Sequence, residues 1–260
     1  MSKPSLEGRI AVVTGASAGI GLAVARILAA QGAMVVVNAR RQAKLEEVVG
    51  ELGKGRAIAV AGDCSEPAVI GRLLDAARST FGREADLVVV NAGRGLNGSV
   101  LTSDTSQWEE MVRTNVIGAA HLIREAGLRL SKATEGKSGP AVLDRARDII
   151  VLGSTVGRHV SPFSSMYGST KFAVHGLTEG ARRELGPRGV RVSLVEPGFV
   201  VSEFQGVAGY DQKWMDGVFE RIGPPLTPDD VARTVAFMAS QPAGVHVADV
   251  LIRPTRQDYP

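Results

Sequence analysis

The sequence predicts one doubly wound α/β domain, a seven-stranded parallel sheet flanked by helices, over residues 1–260. Three observations predict it. Short β-branched runs recur at 10–14, 34–38, 57–61, 87–90, 148–152, 190–195 and 247–252. They are almost uniformly apolar instead of alternating, as expected of strands buried on both faces. Helical patterns lie between them, and no linker or low-complexity tract interrupts the series.

The elements follow in order. The first strand runs into a glycine-rich turn and a helix over 21–30. The second ends at Asn38-Ala39-Arg40-Arg41, the third at Gly62-Asp63-Cys64. A helix over 65–81 is expected, with Ser65 as N-cap, Pro67 in its first turn and Gly82 past its end. After the fourth strand comes Asn91-Ala92-Gly93, then a long helix over 106–132 that opens on a capping-box pattern, Ser106 to Glu109. Residues 132–147 read as a charged surface excursion before the fifth strand. A helix over 165–185 follows, and Thr227-Pro228-Asp229-Asp230 opens the last one. Residues 199–225 lack a strong period and contain Tyr210, Trp214, Met215 and Phe219. Two readings stand for them: a substrate lid near the strand ends, or a plain connection with apolar anchors.

Bulk properties exclude several classes. A chain of 260 residues can bury a full core without staples. Its 44% apolar and 22% charged residues are an ordinary globular balance, and its 31 glycines suit many tight strand–helix turns. The net charge of +3, from 30 basic and 27 acidic residues, is too small and interspersed to indicate nucleic acid. The single cysteine, Cys64, excludes an intrachain disulfide and fits a reducing, cytoplasmic setting. No apolar run reaches the length of a membrane span, and the first nine residues lack the apolar stretch of a signal peptide. His121, His159, His175 and His246 show no metal-ligand spacing, so no metal site is expected.

The chemistry-bearing residues begin with Tyr167 and Lys171, in Tyr167-Gly168-Ser169-Thr170-Lys171. A phenol titrates near 10 and is a poor acid or base at neutral pH. A cation one helical turn away favours the phenolate, and positions i and i+4 share a helix face. Ser154 lies 13 residues before Tyr167, and its hydroxyl could hold a carbonyl or alcohol oxygen against the pair. Taken alone, such a pair also describes two solvated neighbours. The turn Thr14-Gly15-Ala16-Ser17-Ala18-Gly19-Ile20-Gly21 raises its meaning. It follows a strand and opens a helix, so its backbone N–H groups can approach a pyrophosphate. An acid at the end of the second strand would bind ribose hydroxyls; Arg40, with Arg41, stands there instead. Either it pairs with a 2′-phosphate, giving NADP(H) over NAD(H), or it starts a solvated helix. Asp63 could accept from an adenine amine or cap the next helix. Asn115 is a poor helix former inside a long helix. Its side chain or a locally opened ladder could hold water near the site; a solvent-facing position is the alternative. Cys64 reads as a packing residue.

With these residues assembled, the chain resembles the short-chain dehydrogenase/reductase family over essentially its whole length. The resemblance rests on Thr14-Gly-x-x-x-Gly-x-Gly21, Asp63, Asn91-Ala92-Gly93, Asn115-Val116-Ile117-Gly118, Ser154, Tyr167-x-x-x-Lys171 and Pro197-Gly198. It implies a Rossmann-type fold and a catalytic set of Asn115, Ser154, Tyr167 and Lys171. Tyr167 is then the acid/base, and Lys171 lowers its pKa and holds the nicotinamide ribose. Ser154 binds the reacting oxygen, and Asn115 supports a water that links Lys171 to solvent. The resemblance also implies cofactor contacts from Gly15, Ser17, Gly19, Ile20, Gly21, Arg40, Asp63, Asn91, Ala92, Gly93, Tyr167, Lys171, Pro197 and Gly198. Val200 offers backbone groups to the carboxamide, and Ser202 replaces the usual threonine near it.

Two departures qualify this picture. NADP-preferring members often carry Lys or Arg just before the middle glycine, where this chain has Ala18. The NADP(H) expectation therefore leans on Arg40, as in a second NADP subgroup. The segment 132–147 is longer than the family pattern, which bears on the usual helix–helix contacts of a homo-oligomer, tetramer or dimer. Glu196-Pro197-Gly198 and Ile252-Arg253-Pro254-Thr255 resemble a subgroup of reductases acting on small hydroxy acids and related carbonyls. Thr155, His159, Phe163, Phe199, Phe204, Tyr210 and Trp214 are the expected pocket residues. The implied activity is a carbonyl–alcohol oxidoreductase acting on a small molecule. A reductase of larger acyl-thioester, polyketide or steroid-like ketones, and a non-catalytic NADP sensor, are the alternatives.

Overall fold

Successive residues of the strands feed two separate cores. In β1 (Ile10–Thr14), Ala11 and Val13 pack on one face of the sheet while Ile10 and Val12 pack on the other. This two-sided burial is why the central strands are mostly apolar. The computed structural model describes residues 6–53 and 55–259, so residues 1–5 of the segment expected to lack a leader lie outside the described residues.

The chain continues through α1 (Gly19–Ala30), β2 (Met34–Ala39), α2 (Gln42–Leu52), β3 (Ala57–Ala61), α3 (Pro67–Phe81) and β4 (Leu87–Val90). Then come α4 (Trp108–Val112), α5 (Ala119–Lys132), β5 (Asp148–Leu152), α6 (Ser165–Leu185) and β6 (Arg191–Pro197). The end of the chain holds α7 (Phe204–Ala208), α8 (Gln212–Ile222), α9 (Pro228–Ala239) and β7 (Asp249–Ile252). All seven strands are parallel, in the order β3-β2-β1-β4-β5-β6-β7. Helices α1 and α9 cover one face through Val24, Leu28, Val231 and Val235. Helices α3, α5 and α6 cover the other through Leu73, Leu122, Ile123 and Val174. The order reverses between β1 and β4, the place where a doubly wound sheet opens a crevice at its strand ends. No described helix is long and apolar enough to cross a membrane.

Several expected details are corrected. Ser65 does not cap α3: Asp63 Oδ1 accepts both its N–H (2.9 Å) and its hydroxyl (2.8 Å), and Glu66 stands at the N-cap. Ser106 fails in the same way, because Asp104 Oδ1 takes its N–H (3.0 Å) and hydroxyl (2.7 Å). In both places an aspartate two residues upstream forms the local turn and uses the serine as donor. The helix expected over 106–132 runs unbroken, but its ladder opens into a π-helical stretch, Arg113–Gly118, between α4 and α5. The region 199–225 holds two helices. The signal for α8 was present in Met215, Val218 and Ile222, buried at helical spacing. The segment 132–147 is anchored at both ends, not simply solvated. Thr134 Oγ1 donates to the Arg188 carbonyl at 2.8 Å, and the Arg147 carbonyl accepts the Arg191 N–H at 2.9 Å.

Candidate active site

The turn between β1 and α1 forms a cradle that side chains would fill. Gly15 has φ +67° and Gly19 φ +53°. A Cβ on Gly21 would lie 2.3 Å from the Gly15 carbonyl and 2.5 Å from Asn91 Nδ2. Helix α1 starts at Gly19 without a side-chain cap from Ala18, which leaves first-turn N–H groups for whatever enters. Thr14 Oγ1 accepts the N–H groups of Asn91 and Ala92, each at 3.1 Å, and so ties the end of β4 to β1. The cradle opens into a cavity of about 720 Å³ whose wall includes Gly15, Ser17, Gly19, Ile20, Gly21, Asn91, Ala92 and Gly93.

At one end the cavity is rimmed by Asn38, Arg40, Arg41, Asp63 and Glu110. Arg40 reaches across to Glu110 at 3.5 Å and is largely exposed, while Arg41 rests 3.3 Å from the Ser17 hydroxyl. Glu110 also pairs with Arg94. Asp63 faces Arg113 at 3.3 Å. Burial pushes its carboxyl up, but hydrogen bonds from Ser65 and the Arg113 and Arg40 charges outweigh this and hold it below the usual range. Arg94, Glu110 and Thr114 also line the wall and were not expected. Arg94 directly follows Asn91-Ala92-Gly93, and Glu110 and Thr114 are one turn apart before Asn115, so their placement was open to inference.

Ser154, Tyr167 and Lys171 meet in the middle of the same cavity. Ser154 follows β5, its Oγ accepting the Val156 N–H at 3.4 Å, and its hydroxyl faces the Tyr167 phenol across the cavity. Lys171 Nζ donates to the Leu152 carbonyl at 2.8 Å and lies 5.9 Å from the centre of the Tyr167 ring. The titration differs from expectation. Burial pushes the Tyr167 phenol above its ordinary value, with the Ser154 hydroxyl working in the other direction. Burial also lowers Lys171 to about 8. Desolvation disfavours both charged forms and here outweighs the attraction anticipated between them.

Asn115 sits within the π-helical stretch, one layer behind the cavity wall. Its Oδ1 accepts the Arg94 N–H at 2.8 Å, and its Nδ2 donates to the Arg94 carbonyl (2.8 Å) and Thr170 Oγ1 (3.0 Å). The solvent-facing alternative is excluded, because the residue is buried. Its side chain is committed to protein partners; the opened ladder is the feature that remains for a water.

The opposite wall comes from the segment after β6. Pro197, Gly198, Val200 and Ser202 all reach the cavity. The Val200 carbonyl accepts from Gln205 Nε2 at 2.6 Å, and the Ser202 hydroxyl accepts the Phe204 N–H at 3.2 Å. Thr155, Phe163, Phe199, Phe204, Tyr210 and Trp214 line the cavity as expected. His159 does not; it is exposed, in the loop beyond Ser154. Gln257 and Tyr259 complete the wall from the tail, for which the sequence carried no signal. Among the described residues, no group of three or more His, Cys, Asp or Glu is placed to hold a metal ion.

Comparison with known proteins agrees with this geometry. An uncharacterized oxidoreductase of Staphylococcus aureus (strain MW2) is 32% identical over 252 residues, covering 96% of this chain and 98% of that one. A 3-ketoacyl-(acyl-carrier-protein) reductase from Brucella melitensis, solved with NADH, superposes with a TM-score of 0.83 at 29% identity, covering 97% of this chain and 99% of that one. An alcohol dehydrogenase from Thermococcus sibiricus, solved with 5-hydroxy-NADP, gives a TM-score of 0.79 at 26% identity, covering 96% and 97%. The family model for short chain dehydrogenase matches residues 9–213, a span that runs from the start of β1 past Ser154, Tyr167 and Lys171 into α8. The chain belongs to the short chain dehydrogenase family.

Proposed function

We propose that this oxidoreductase is NADP(H)-dependent and interconverts a carbonyl compound and its alcohol, with Tyr167 as acid/base. The observation that carries the proposal is the meeting of Ser154 and Tyr167, with Lys171 one turn along α6, in a cavity continuous with the glycine cradle.

The residues fit a nicotinamide dinucleotide. The cradle is a space that a Cβ on Gly21 would fill, and the uncapped start of α1 suits a pyrophosphate. Gly15, Ser17, Gly19, Ile20 and Gly21 would hold the phosphates. Arg40 would meet a 2′-phosphate and Asp63 the adenine. Asn91, Ala92 and Gly93 would run beside the cofactor, with Lys171 at the ribose. Pro197, Gly198, Val200 and Ser202 would flank the nicotinamide, which when bound supplies or accepts the hydride. The chain's own part is to hold the reacting oxygen between Ser154 and Tyr167. Tyr167 then gives its proton to that oxygen in reduction or takes it in oxidation. Asn115 fixes the turn at Arg94 and the Thr170 side of α6, and in this reading the opened ladder beside it passes the proton on to solvent.

The far end of the cavity is apolar, with Phe163 and Val207 exposed at its rim. That rim also supports a larger substrate, as does the likeness to a 3-ketoacyl carrier reductase. A homo-oligomer, dimer or tetramer, belongs to the proposal because Ile117, Leu128 and Phe172 are exposed apolar side chains on the outer helices. So does a reducing, cytoplasmic setting, since the chain has one cysteine. Residues 199–225, carrying α7 and α8, are proposed as the substrate lid.

The test is NADPH oxidation with a panel of ketones, aldehydes and keto acids, each also run with Tyr167→Phe. Turnover should fall about 100-fold or more in the variant while NADPH binding persists. Full turnover by the variant removes Tyr167 from the role, and tight NADPH binding with no turnover of any carbonyl favours the sensor.

A further inference from the structure

We propose that His175 is a positioning residue for Ser154: its neutral ring accepts the Ser154 backbone N–H and fixes the loop that presents the Ser154 hydroxyl. This rests on the reading of Ser154 as the group that holds the reacting oxygen.

His175 lies one helical turn beyond Lys171 in α6, on the same face. Its ring occupies a slot between Gly153 and Gly157. A Cβ on Gly153 would come within 2.5 Å of Nε2, and one on Gly157 within 2.4 Å. Neither glycine has a positive φ. The backbone therefore does not require glycine at either place; the ring does. The Ser154 N–H donates to His175 Nε2 at 3.4 Å. That direction leaves Nε2 bare and puts the ring hydrogen on Nδ1, which faces Glu196 Oε2 at 3.6 Å.

Glu196, in β6, is 0% exposed. Arg158, from the same loop as Ser154, grips its carboxylate with Nε at 2.5 Å and Nη2 at 2.6 Å. The loop is thus tied to the sheet through Arg158 and to α6 through His175. Gly153 adds a third tie, its N–H donating to the Val195 carbonyl at 2.8 Å. Ser154 stands between these anchors.

The arrangement has a protonation limit. The charged groups facing the ring are Glu196 from β6, Arg158 from the loop, Lys171 from α6 and Asp249 from β7. Burial lowers the His175 pKa first; Glu196 and Asp249 oppose this, and Lys171 and Arg158 add to it. A second ring proton would set an N–H against the Ser154 N–H inside a slot with no room for the ring to turn. Acid should therefore release Ser154 before it unfolds the protein.

Nitrogen-15 NMR of labelled histidine in the full chain, with His175 assigned by its loss in His175→Gln, tests the contact directly. The expected form at neutral pH is the Nδ1–H tautomer; a protonated Nε2 overturns the proposal. The second arm uses a carbonyl reduced by the wild type. Its kcat should fall on the acid side with the pKa that NMR gives for His175. His175→Gln keeps an acceptor and cannot titrate, so it should remove that limb and leave the KM for NADPH within about twofold. A limb that persists in His175→Gln overturns the positioning role. Ser154→Ala separates the two readings. Full turnover in that variant sinks the role given to Ser154, while the NMR tautomer reports the His175 contact independently.

Discussion

Lys171 Nζ donates to the Leu152 carbonyl at 2.8 Å, and among the described residues no carboxylate forms an ion pair with it. A buried cation with one neutral partner opposes folding. The shift from an ordinary lysine value near 10.4 to about 8 corresponds to roughly 3 kcal/mol against the charged form. Part of that would be lost again in a variant that leaves the Leu152 carbonyl unpaired. Lys171→Met is therefore expected to be inactive yet more stable at pH 7, by about 1 kcal/mol. The sign follows from proton binding. Between pH 8 and about 10 the unfolded chain binds more protons than the native one, so wild-type stability gains as pH rises through that window. The advantage of the variant should be constant below pH 8 and shrink above it. Urea unfolding of both proteins across this range checks the prediction, and a pH-independent difference would refute it.

Arg40 carries the preference for a 2′-phosphate in the proposed function. It is 74% exposed in its side chain and only loosely paired with Glu110 at 3.5 Å, so it can turn to an anion at small cost. A charge-assisted fork to phosphate contributes about 1.5–3 kcal/mol. Arg40→Ala should weaken binding of 2′,5′-ADP by roughly 10- to 100-fold on that scale and leave 5′-ADP unchanged. Calorimetry with the two nucleotides decides it. Equal losses for both would assign Arg40 a structural role, and no loss would return it to the solvated start of α2.

Asn115 behaves as a backbone splint, pairing both the N–H and the carbonyl of Arg94 while holding Thr170. Leucine at this position would strand those groups in a buried place, at about 1–3 kcal/mol for each left unsatisfied. Asn115→Leu should lower Tm by roughly 6–12 °C, a loss of about 3 kcal/mol. Thermal unfolding measures this, and a change under about 2 °C would be incompatible with the splint.

The sheet was legible because burial on both faces makes its central strands mostly apolar, and glycine turns punctuate them. Ser154, Tyr167 and Lys171 were legible because helical spacing and one serine after a strand suffice to bring them together. Other features were harder to read. Ser65 and Ser106 lost their capping roles to aspartates that compete for the same hydroxyl. The direction of the Tyr167 shift depends on how completely the phenol is buried, which spacing alone does not reveal. Gln257 and Tyr259 reach the cavity only through tertiary packing of the tail. The helix α8 was readable from Met215, Val218 and Ile222, but Trp214 and Phe219 beside them blurred its period.

Those aromatics frame the last prediction. Tyr210 and Trp214 stack with ring centres 4.4 Å apart, Trp214 meets Phe199 at 6.0 Å, and Phe199 meets Phe219 at 5.9 Å edge-on. Phe204 in turn meets Tyr167 at 5.6 Å. Two roles are open to this series: anchoring a connection, or forming the wall that a substrate touches. Trp214→Ala separates them. As a wall, Trp214 buries apolar substrate surface, and its loss should raise KM for an apolar ketone by about 10- to 100-fold, equivalent to about 1.5–3 kcal/mol. The values of kcat and of Kd for NADPH should stay near wild type, because neither Tyr167 nor the glycine cradle touches Trp214 in the ring series. As an anchor alone, the variant should show a lower Tm with KM unmoved. The chain has one other tryptophan, Trp108, in α4 away from this wall, so quenching of Trp214 emission by the ketone gives a second readout. Quenching that survives in Trp214→Ala would move the substrate contact elsewhere.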